Sequence, residues 1–191
     1  MSPLPPMWSG SRGSSLRRLP TAALTSDEIA SLRELLWAAF ADDDDGFTEP
    51  DWEHAVGGAH VVLEDAGEIV AHASVVERLL EIDGRPMRTG YVEAVATRPG
   101  RERRGHGSVV MREANEIIRP EYELGALGTG AFAFYERLGW ERWRGPSFVR
   151  TPGGLVRTEE DDGFLMILRT TAAPLDLDAP ISCDWRPGDV W

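Results

Sequence analysis

The sequence predicts one mixed α/β domain, in which helices flank a mixed, mostly antiparallel central sheet. Three observations predict this class. Apolar residues at helical spacing alternate along the chain with apolar runs of strand length. Turn signals such as Asp83-Gly84 join strands that follow each other directly. The 191 residues suffice for one sizeable core.

The elements follow in order. The capping-box pattern Thr25-Ser26-Asp27-Glu28 begins a helix predicted to end at about Ala41. Strands are predicted over residues 60–64, 68–76 and 87–97, and residues 77–82 either continue the second strand or pair with it. Later we predict a helix over 108–119 stopped by Pro120, a strand over 121–127, a helix over 131–138 closed by Gly139, and strands over 147–151 and 164–169.

Residues 1–20 are rich in Ser, Gly, Pro and Arg, which predicts a disordered leader before a folded domain of residues 21–191. No apolar run approaches the roughly 20 residues of a membrane span. The single cysteine, Cys183, excludes an internal disulfide framework or a cysteine-cluster metal site, and we expect it to be buried. A reduced, cytoplasmic protein is the simplest interpretation.

The net charge of -12 argues against nucleic acid as a partner and favours cationic ligands. All 20 basic residues are Arg, which excludes a Schiff-base lysine or a phosphate-loop lysine. Charge is also segregated along the chain. Seven acids and no base lie in residues 41–53, four Arg and one acid in 98–104, and eight acids with three Arg in 155–191.

The strand that ends at Thr97 leads into an Arg-rich loop, residues 98–108, and then into a helix. The first turn of a helix offers unpaired N–H groups and a positive dipole end. Gly105 and Gly107 let these groups face a phosphate, and Arg103 and Arg104 add charge, which predicts a pyrophosphate cradle. Gly-x-Gly alone would favour the alternative of an ordinary turn with solvated Arg.

A second motif places Tyr135 four residues before Gly139-Trp140. Together the two motifs resemble the GNAT superfamily of acetyl-CoA-dependent N-acetyltransferases, although Glu102 stands where that family prefers Arg or Gln. In the family the loop binds the coenzyme A pyrophosphate, and the tyrosine lies near the thioester sulfur. The resemblance implies acetyl-CoA as co-substrate, bound by Val95, Ala96, Thr97, Arg103, Arg104, Gly105, His106, Gly107 and Ser108.

Residues 47–58, 90–93, 122–127 and the tail Cys-Asp-Trp-Arg-Pro-Gly-Asp-Val-Trp add a closer resemblance, to aminoglycoside 2′-N-acetyltransferases, over roughly residues 24–191. It implies acetylation of the 2′-amine of aminoglycosides, and hence antibiotic resistance. The implied acceptor site consists of Asp45, Glu93, Ala94, Gly128, Glu160, Asp161, Asp189 and the free carboxylate of Trp191. The acid run 42–45 is longer than the family's single Asp, so Asp45 is only the nearest match. Gly128-Thr129 stands where the family has Ser.

Mechanism follows from the resemblance. Glu93 would take the proton of the substrate ammonium, backbone N–H groups near Val95 would hold the oxyanion, and Tyr135 would protonate the leaving thiolate. Trp185 and Trp191 would offer flat faces to sugar rings and ammonium groups. The structural alternatives are a solvent-facing edge acid for Glu93 and a core aromatic for Tyr135.

No metal is expected, because His54, His60, His72 and His106 share no ligand spacing. Two other functions stay open: a GNAT that acetylates another small cationic amine or amino sugar, and a non-catalytic binder of cationic drugs. A homodimer also stays open as a partner, whereas no membrane partner is expected.

Overall fold

The computed structural model describes residues 13–43, 46–170 and 174–191. Its helices are α1 (Ser26–Ala39), α2 (Glu49–Ala55), α3 (His106–Glu121) and α4 (Phe132–Glu136). Its strands are β1 (Ser14–Pro20), β2 (Ala59–Asp65), β3 (Glu68–Ile82), β4 (Arg85–Thr97), β5 (Leu124–Gly128), β6 (Glu141–Arg142), β7 (Ser147–Thr151), β8 (Gly154–Arg157), β9 (Leu165–Arg169) and β10 (Ile181–Asp184). Two short 3₁₀ turns lie at Thr21–Ala23 and Glu159–Asp161.

The ten described strands form one mixed sheet. Its main path runs β6-β9-β5-β4-β3-β10-β7-β8, and β2, with β1 on its outer side, pairs with the first half of β3. Among the described strands, only the β4–β5 and β7–β10 pairs are parallel. A mixed, mostly antiparallel sheet was the sequence prediction, and the structure confirms it.

Helices cover both faces of this sheet. Helix α3 packs on one face, where Val110, Met111 and Ile118 join a core of strand residues. Helices α1 and α2 pack on the other face, through Leu32, Leu36 and Trp52. The predicted capping box of α1 is present: the Thr25 side chain accepts a hydrogen bond from the Glu28 N–H, and the Glu28 carboxylate accepts one from the Thr25 N–H at 2.8 Å.

Two irregularities in β4 shape the middle of the sheet. Strand β4 pairs with β5 only from Thr89 to Tyr91, so the two strands separate beyond Tyr91 and leave an opening at their carboxyl ends. In the β3–β4 pairing, Ala73 alone faces both Ala94 and Val95, which makes a β-bulge. Ala94 has a φ of +51°, the left-handed conformation that a residue with a Cβ rarely adopts.

The predicted disordered leader is wrong for its last part. Ser14–Pro20 forms β1, which pairs with β2 along its whole length. Leu16 and Leu19 pack against the core, and Arg17 bonds to Glu28 and Glu64 at 2.6 and 2.8 Å. An edge strand this short and this rich in Ser and Arg shows little apolar pattern. The rest of the predicted leader, residues 1–12, lies outside the described residues.

Element boundaries differ in smaller ways. Helix α3 ends at Glu121, one residue beyond the predicted stop at Pro120, and β5 therefore begins only at Leu124. The sequence analysis also missed α2, β6, β8 and β10, all of which are seven residues or shorter.

Candidate active site

The opening between β4 and β5 brings the two cofactor motifs together. A Cβ placed on Gly107, at the start of α3, would lie 3.4 Å from Thr97 Oγ1 and 3.5 Å from the Phe134 ring. The end of β4, the loop before α3 and helix α4 therefore meet at one place. Val95, whose side chain packs with the α3-side core, leads β4 toward it through Ala96 and Thr97.

The loop before α3 has the geometry of an anion cradle. Gly105 is the N-cap residue of α3 with a φ of +84°, and a Cβ there would meet no atom within 4 Å. No side chain of a described residue caps this end of the helix, and no acid lies in the first turn, which contains His106, Gly107 and Ser108. Arg103 and Arg104 are exposed, and neither forms an ion pair with a described residue. These residues fit the pyrophosphate of acetyl-CoA.

Tyr135 lies near the carboxyl end of α4 and is 7% exposed. Its ring packs edge-on against Phe134 and Trp140. Burial raises the pKa of Tyr135 to about 12, although a side-chain hydrogen bond with Thr129 opposes the shift. Tyr135 is thus a core aromatic and also a protonated hydroxyl with a polar partner, so the two alternatives considered for it do not exclude each other.

Glu93 is partly buried and ion-paired rather than a solvent-facing edge acid. Its side chain is 17% exposed, and its Oε1 accepts a hydrogen bond from Arg186 at 2.6 Å. Burial raises the pKa of Glu93 above its ordinary value, while Arg186 and Arg78 oppose the shift and Asp189 adds to it. A carboxylate with a raised pKa is a better proton acceptor.

The C-terminal tail, residues 185–191, is held close to Glu93 from two sides. The buried Arg78 on β3 donates to the backbone oxygens of Asp184 and Val190, each at 2.8 Å. On the other side, a ring nitrogen of His54 on α2 contacts the Pro187 carbonyl oxygen at 2.8 Å.

Trp191 is buried, contrary to the expected flat face for a sugar. It is 6% exposed, it belongs to the core beside Tyr91, and its Nε1–H donates to Thr158 Oγ1 at 3.0 Å. Trp185, in contrast, is 55% exposed. A Cβ placed on Gly128 would lie 3.9 Å from the Trp191 carbonyl carbon, so the tail reaches the end of β5.

Three of the predicted acceptor residues form an acidic cluster near the tail, here called the acidic wall: Glu160, Asp161 and Asp189. Burial, followed by the charge of Asp189, raises the pKa of Asp161 to about 6, and Glu160 adds to the shift. Asp161 and Asp189 are therefore close enough to repel each other, which is the electrostatic condition that a bound cation relieves. Asp45 lies outside the described residues.

Three residues that line this site were not among the predicted site residues: Arg186, Arg78 and Tyr91. Arg186 bridges Glu93 and the backbone oxygen of Asp189, and its guanidinium lies 5.6 Å from the Tyr91 ring centroid. The Tyr91 hydroxyl is buried and has no hydrogen-bond partner among the described residues. Arg186 lies inside the tail motif, and that motif is the sequence signal that points to it.

No cluster of three or more His, Cys, Asp or Glu that could hold a metal ion is found among the described residues. Within the same ranges, no helix combines the length and apolar composition needed to cross a bilayer. Burial raises the pKa of the Cys183 thiol to about 11, so it stays protonated.

The sequence is similar to those of known acetyltransferases. A family model described as an acetyltransferase (GNAT) domain matches residues 21–143. An aminoglycoside 2′-N-acetyltransferase from Mycolicibacterium fortuitum is 39% identical over 180 residues, which cover 92% of this chain and 91% of that protein.

Solved structures show the same fold. A GNAT family acetyltransferase from Brucella melitensis, in complex with acetyl-CoA, is similar with a TM-score of 0.61 at 16% identity, over 88% of this chain and 96% of that one. A GCN5-related N-acetyltransferase from Kribbella flavida is similar with a TM-score of 0.56 at 23% identity, over 72% of this chain. This chain spans 36% of the length of the Kribbella protein.

Proposed function

Since this chain belongs to the GNAT acetyltransferases, and within them to the aminoglycoside 2′-N-acetyltransferase family, we propose that it acetylates the 2′-amine of an aminoglycoside. One observation carries the proposal: the partly buried Glu93 lies one strand position from the bulge that leads into the cofactor loop, and it lies near Asp189, which in turn lies near Asp161. A polycationic amino sugar would be drawn to these carboxylates. Resistance to such drugs would follow in a bacterium that makes the enzyme.

Acetyl-CoA would lie with its pyrophosphate on the N–H groups at Gly105–Ser108 and with Arg103 and Arg104 nearby. When bound there, it supplies an activated acetyl thioester. The N–H groups at the bulge, near Val95, would polarise the acetyl carbonyl and hold the negative charge that develops on its oxygen.

Glu93 would act as the general base. The 2′-ammonium must lose a proton before its nitrogen can attack, and Glu93 would accept that proton directly or through water. Arg186 already forms an ion pair with Glu93, and its guanidinium also donates to the Asp189 carbonyl oxygen. The acceptor ammonium would therefore compete with Arg186 for the Glu93 carboxylate. The site is thus built to hold a cation next to the base.

Tyr135 would act as the general acid. As the amine nitrogen bonds to the acetyl carbon and the carbon–sulfur bond breaks, Tyr135 would donate its hydroxyl proton to the departing sulfur, and the second proton lost by the amine nitrogen would restore that hydroxyl. Because burial raises the pKa of Tyr135 to about 12, its proton is present throughout the working range of pH. Thr129, which hydrogen-bonds the hydroxyl, would keep it in place.

A second candidate acceptor is a different small cationic amine or amino sugar. The observation in its favour is Gly128, which brings no hydroxyl to the wall of the opening next to Tyr91 and Trp191. An amine that needs no hydrogen bond from a protein hydroxyl at this position would bind as well as an aminoglycoside.

The test is thiol release from acetyl-CoA over a panel of aminoglycosides with and without a 2′-amine. We expect release only with the 2′-amino compounds, and the product should carry the acetyl group on that nitrogen by NMR. Equal rates with 2′-hydroxyl compounds would reject the 2′ position. If none of the aminoglycosides causes thiol release but other amino sugars do, the result would favour the second candidate.

A further inference from the structure

We propose that the buried pair His60 and His72 is a positioning device for the reaction, which holds the carbonyl of Ala94 and thereby the bulge between Glu93 and Val95. The inference rests on the proposed function, because Glu93 and the N–H groups near Val95 are the groups that the bulge would align. Both histidines are fully buried between the sheet and helix α2, and the reaction as described makes no use of them.

The pair belongs to one continuous chain of hydrogen bonds. The Gly57 N–H donates to Thr21 Oγ1 at 2.8 Å, and Thr21 Oγ1 lies 2.8 Å from His60 Nε2. His60 Nδ1 lies 2.9 Å from His72 Nε2, and His72 Nδ1 lies 2.8 Å from the Ala94 carbonyl oxygen. The chain links the 3₁₀ turn after β1 to the bulge in β4 through two side chains.

The direction of every bond in this chain follows from its last member. A carbonyl oxygen only accepts, so His72 Nδ1 must carry a hydrogen. Burial lowers the pKa of His72 to about 3 and that of His60 to about 4, so both rings are neutral at pH 7. His72 Nε2 must then accept from His60 Nδ1–H, and His60 Nε2 must accept from the Thr21 hydroxyl.

The bulge needs such support. Ala94 holds a φ of +51°, and a residue with a Cβ keeps that conformation only where its surroundings enforce it. At this point β3 offers one residue for two of β4, so the regular ladder is interrupted. Two buried side chains of β3 donate hydrogen bonds to carbonyl oxygens of β4 at the bulge. His72 Nδ1 donates to Ala94, and Ser74 Oγ donates to Glu93 at 3.2 Å.

The first test measures the tautomers by long-range ¹H–¹⁵N NMR on the unliganded wild-type protein. We expect His60 and His72 both in the Nδ1–H form, although free histidine prefers Nε2–H. An Nε2–H form for either ring would overturn the proposal. This measurement does not depend on the acceptor, so it stands even if the enzyme proves to acetylate no aminoglycoside.

The second test compares two substitutions at one position. His72→Asn keeps an N–H at the place of Nδ1, whereas His72→Leu fills similar space and leaves the Ala94 carbonyl without a donor. We expect kcat to fall about 10- to 100-fold in His72→Leu, because small misplacements of reacting groups cost rates of this order. The dissociation constant of acetyl-CoA should hold, and His72→Asn should recover most of kcat.

The control at the His60 side of the hydrogen-bond chain is His60→Asn, which keeps an N–H donor toward His72 Nε2. Its kcat should lie near that of the wild type, whereas His60→Leu should lower it by freeing His72 to change tautomer. A His72→Leu enzyme with wild-type kcat, or a His72→Asn enzyme as impaired as His72→Leu, would reject the positioning role. If His72→Leu does not fold, the His60 pair and the tautomers still decide.

Discussion

Glu93 combines burial with an ion pair, and the two have opposite effects on its proton affinity. Replacing it by Gln removes the proton acceptor and leaves Arg186 without its carboxylate. We predict that Glu93→Gln lowers kcat about 10²- to 10⁴-fold, the usual contribution of a general base, and flattens the acidic limb of the kcat–pH profile. Steady-state kinetics from pH 5 to 9 measure both.

The matched control is Glu77→Gln, which makes the same change on an exposed position of β3 and should leave kcat unchanged. A Glu93→Gln enzyme with a wild-type pH profile would assign the base to another group, and Asp189 would be the next to test.

Asp161 should control how acceptor binding depends on pH. Because its pKa is raised to about 6, it is ionised at pH 7 and becomes protonated as the pH falls through 6. We predict that acceptor KM rises about fivefold between pH 7 and 5, since one partly exposed ion pair contributes roughly 1 kcal/mol. Asp161→Asn should show the high KM at both pH values.

The control for this prediction is Glu159→Gln, on the same 3₁₀ turn, which should keep the wild-type dependence. A KM that is equally dependent on pH in Asp161→Asn would mean that another group titrates.

Tyr135→Phe removes one hydroxyl from a packed ring. We expect acetyl-CoA affinity and thermal stability to change little, and kcat to fall toward the lower end of the range for a general acid, about 10²-fold, because a coenzyme A thiolate is a fair leaving group. Calorimetry and single-turnover kinetics separate the two effects. Loss of cofactor affinity with intact turnover at saturation would assign Tyr135 to binding instead.

At the scale of elements, the start of α3 makes a sharp prediction. Gly105→Asp puts a Cβ and a negative charge into the cradle, on a residue with a φ of +84°. We predict that acetyl-CoA affinity falls more than about 100-fold, as expected when a charge-assisted contact becomes repulsive. Isothermal titration measures it.

Gly84→Asp supplies the matched control, because Gly84 has a φ of +73° and equally open space but lies in the turn at the opposite end of β4. It carries the same strain and the same charge. Equal loss of affinity in both variants would mean that strain or net charge, and not the cradle, is responsible.

Helix α2 shows which elements a sequence can and cannot reveal. Its start is a capping box, in which the Asp51 carboxylate accepts from the Thr48 N–H at 2.7 Å, and Pro50 stands in its first turn. That signal is present in the sequence, because Thr48 and Asp51 stand at the spacing of a capping box. β10 offers no such signal, because a strand of four residues is defined by the neighbours it pairs with.

For the whole molecule, the buried histidines should make folding stability depend on pH. Their folded-state pKa values, about 4 for His60 and about 3 for His72, lie below the ordinary 6.5. Below pH 6.5 the unfolded chain binds protons that the folded chain does not, so stability is full above pH 6.5 and is lost as the pH falls toward these values. We predict a loss of roughly 2 kcal/mol for each histidine by pH 5.

Urea unfolding at pH 7, 6 and 5 measures this dependence. Asp161 acts in the opposite direction, since its raised pKa makes the folded state bind a proton in the same range, so the series is best run in Asp161→Asn. Adding His60→Asn and His72→Asn to that variant should remove most of the dependence between pH 7 and 5. An unchanged slope would show that the two rings are not neutral in the folded protein.

The sequence by itself determined the features that depend on neighbours along the chain. The capping box of α1, the long apolar strands β3 and β4, the glycine loop before α3 and the tyrosine of α4 all appear as short patterns, because local backbone geometry limits which residues fit there. These patterns carried both the fold class and the family, and the structure and the comparisons confirm the two.

Only the tertiary structure decided what each side chain meets across the fold. Arg186 pairs with Glu93 from 93 positions away, the ring of Trp191 turns into the core, and His60 and His72 join to hold Ala94. No local pattern specifies such contacts, because they arise where separate strands of one sheet and a tail held by Arg78 come together. The free energy that fixes them comes from burial, which acts on the folded chain as a whole.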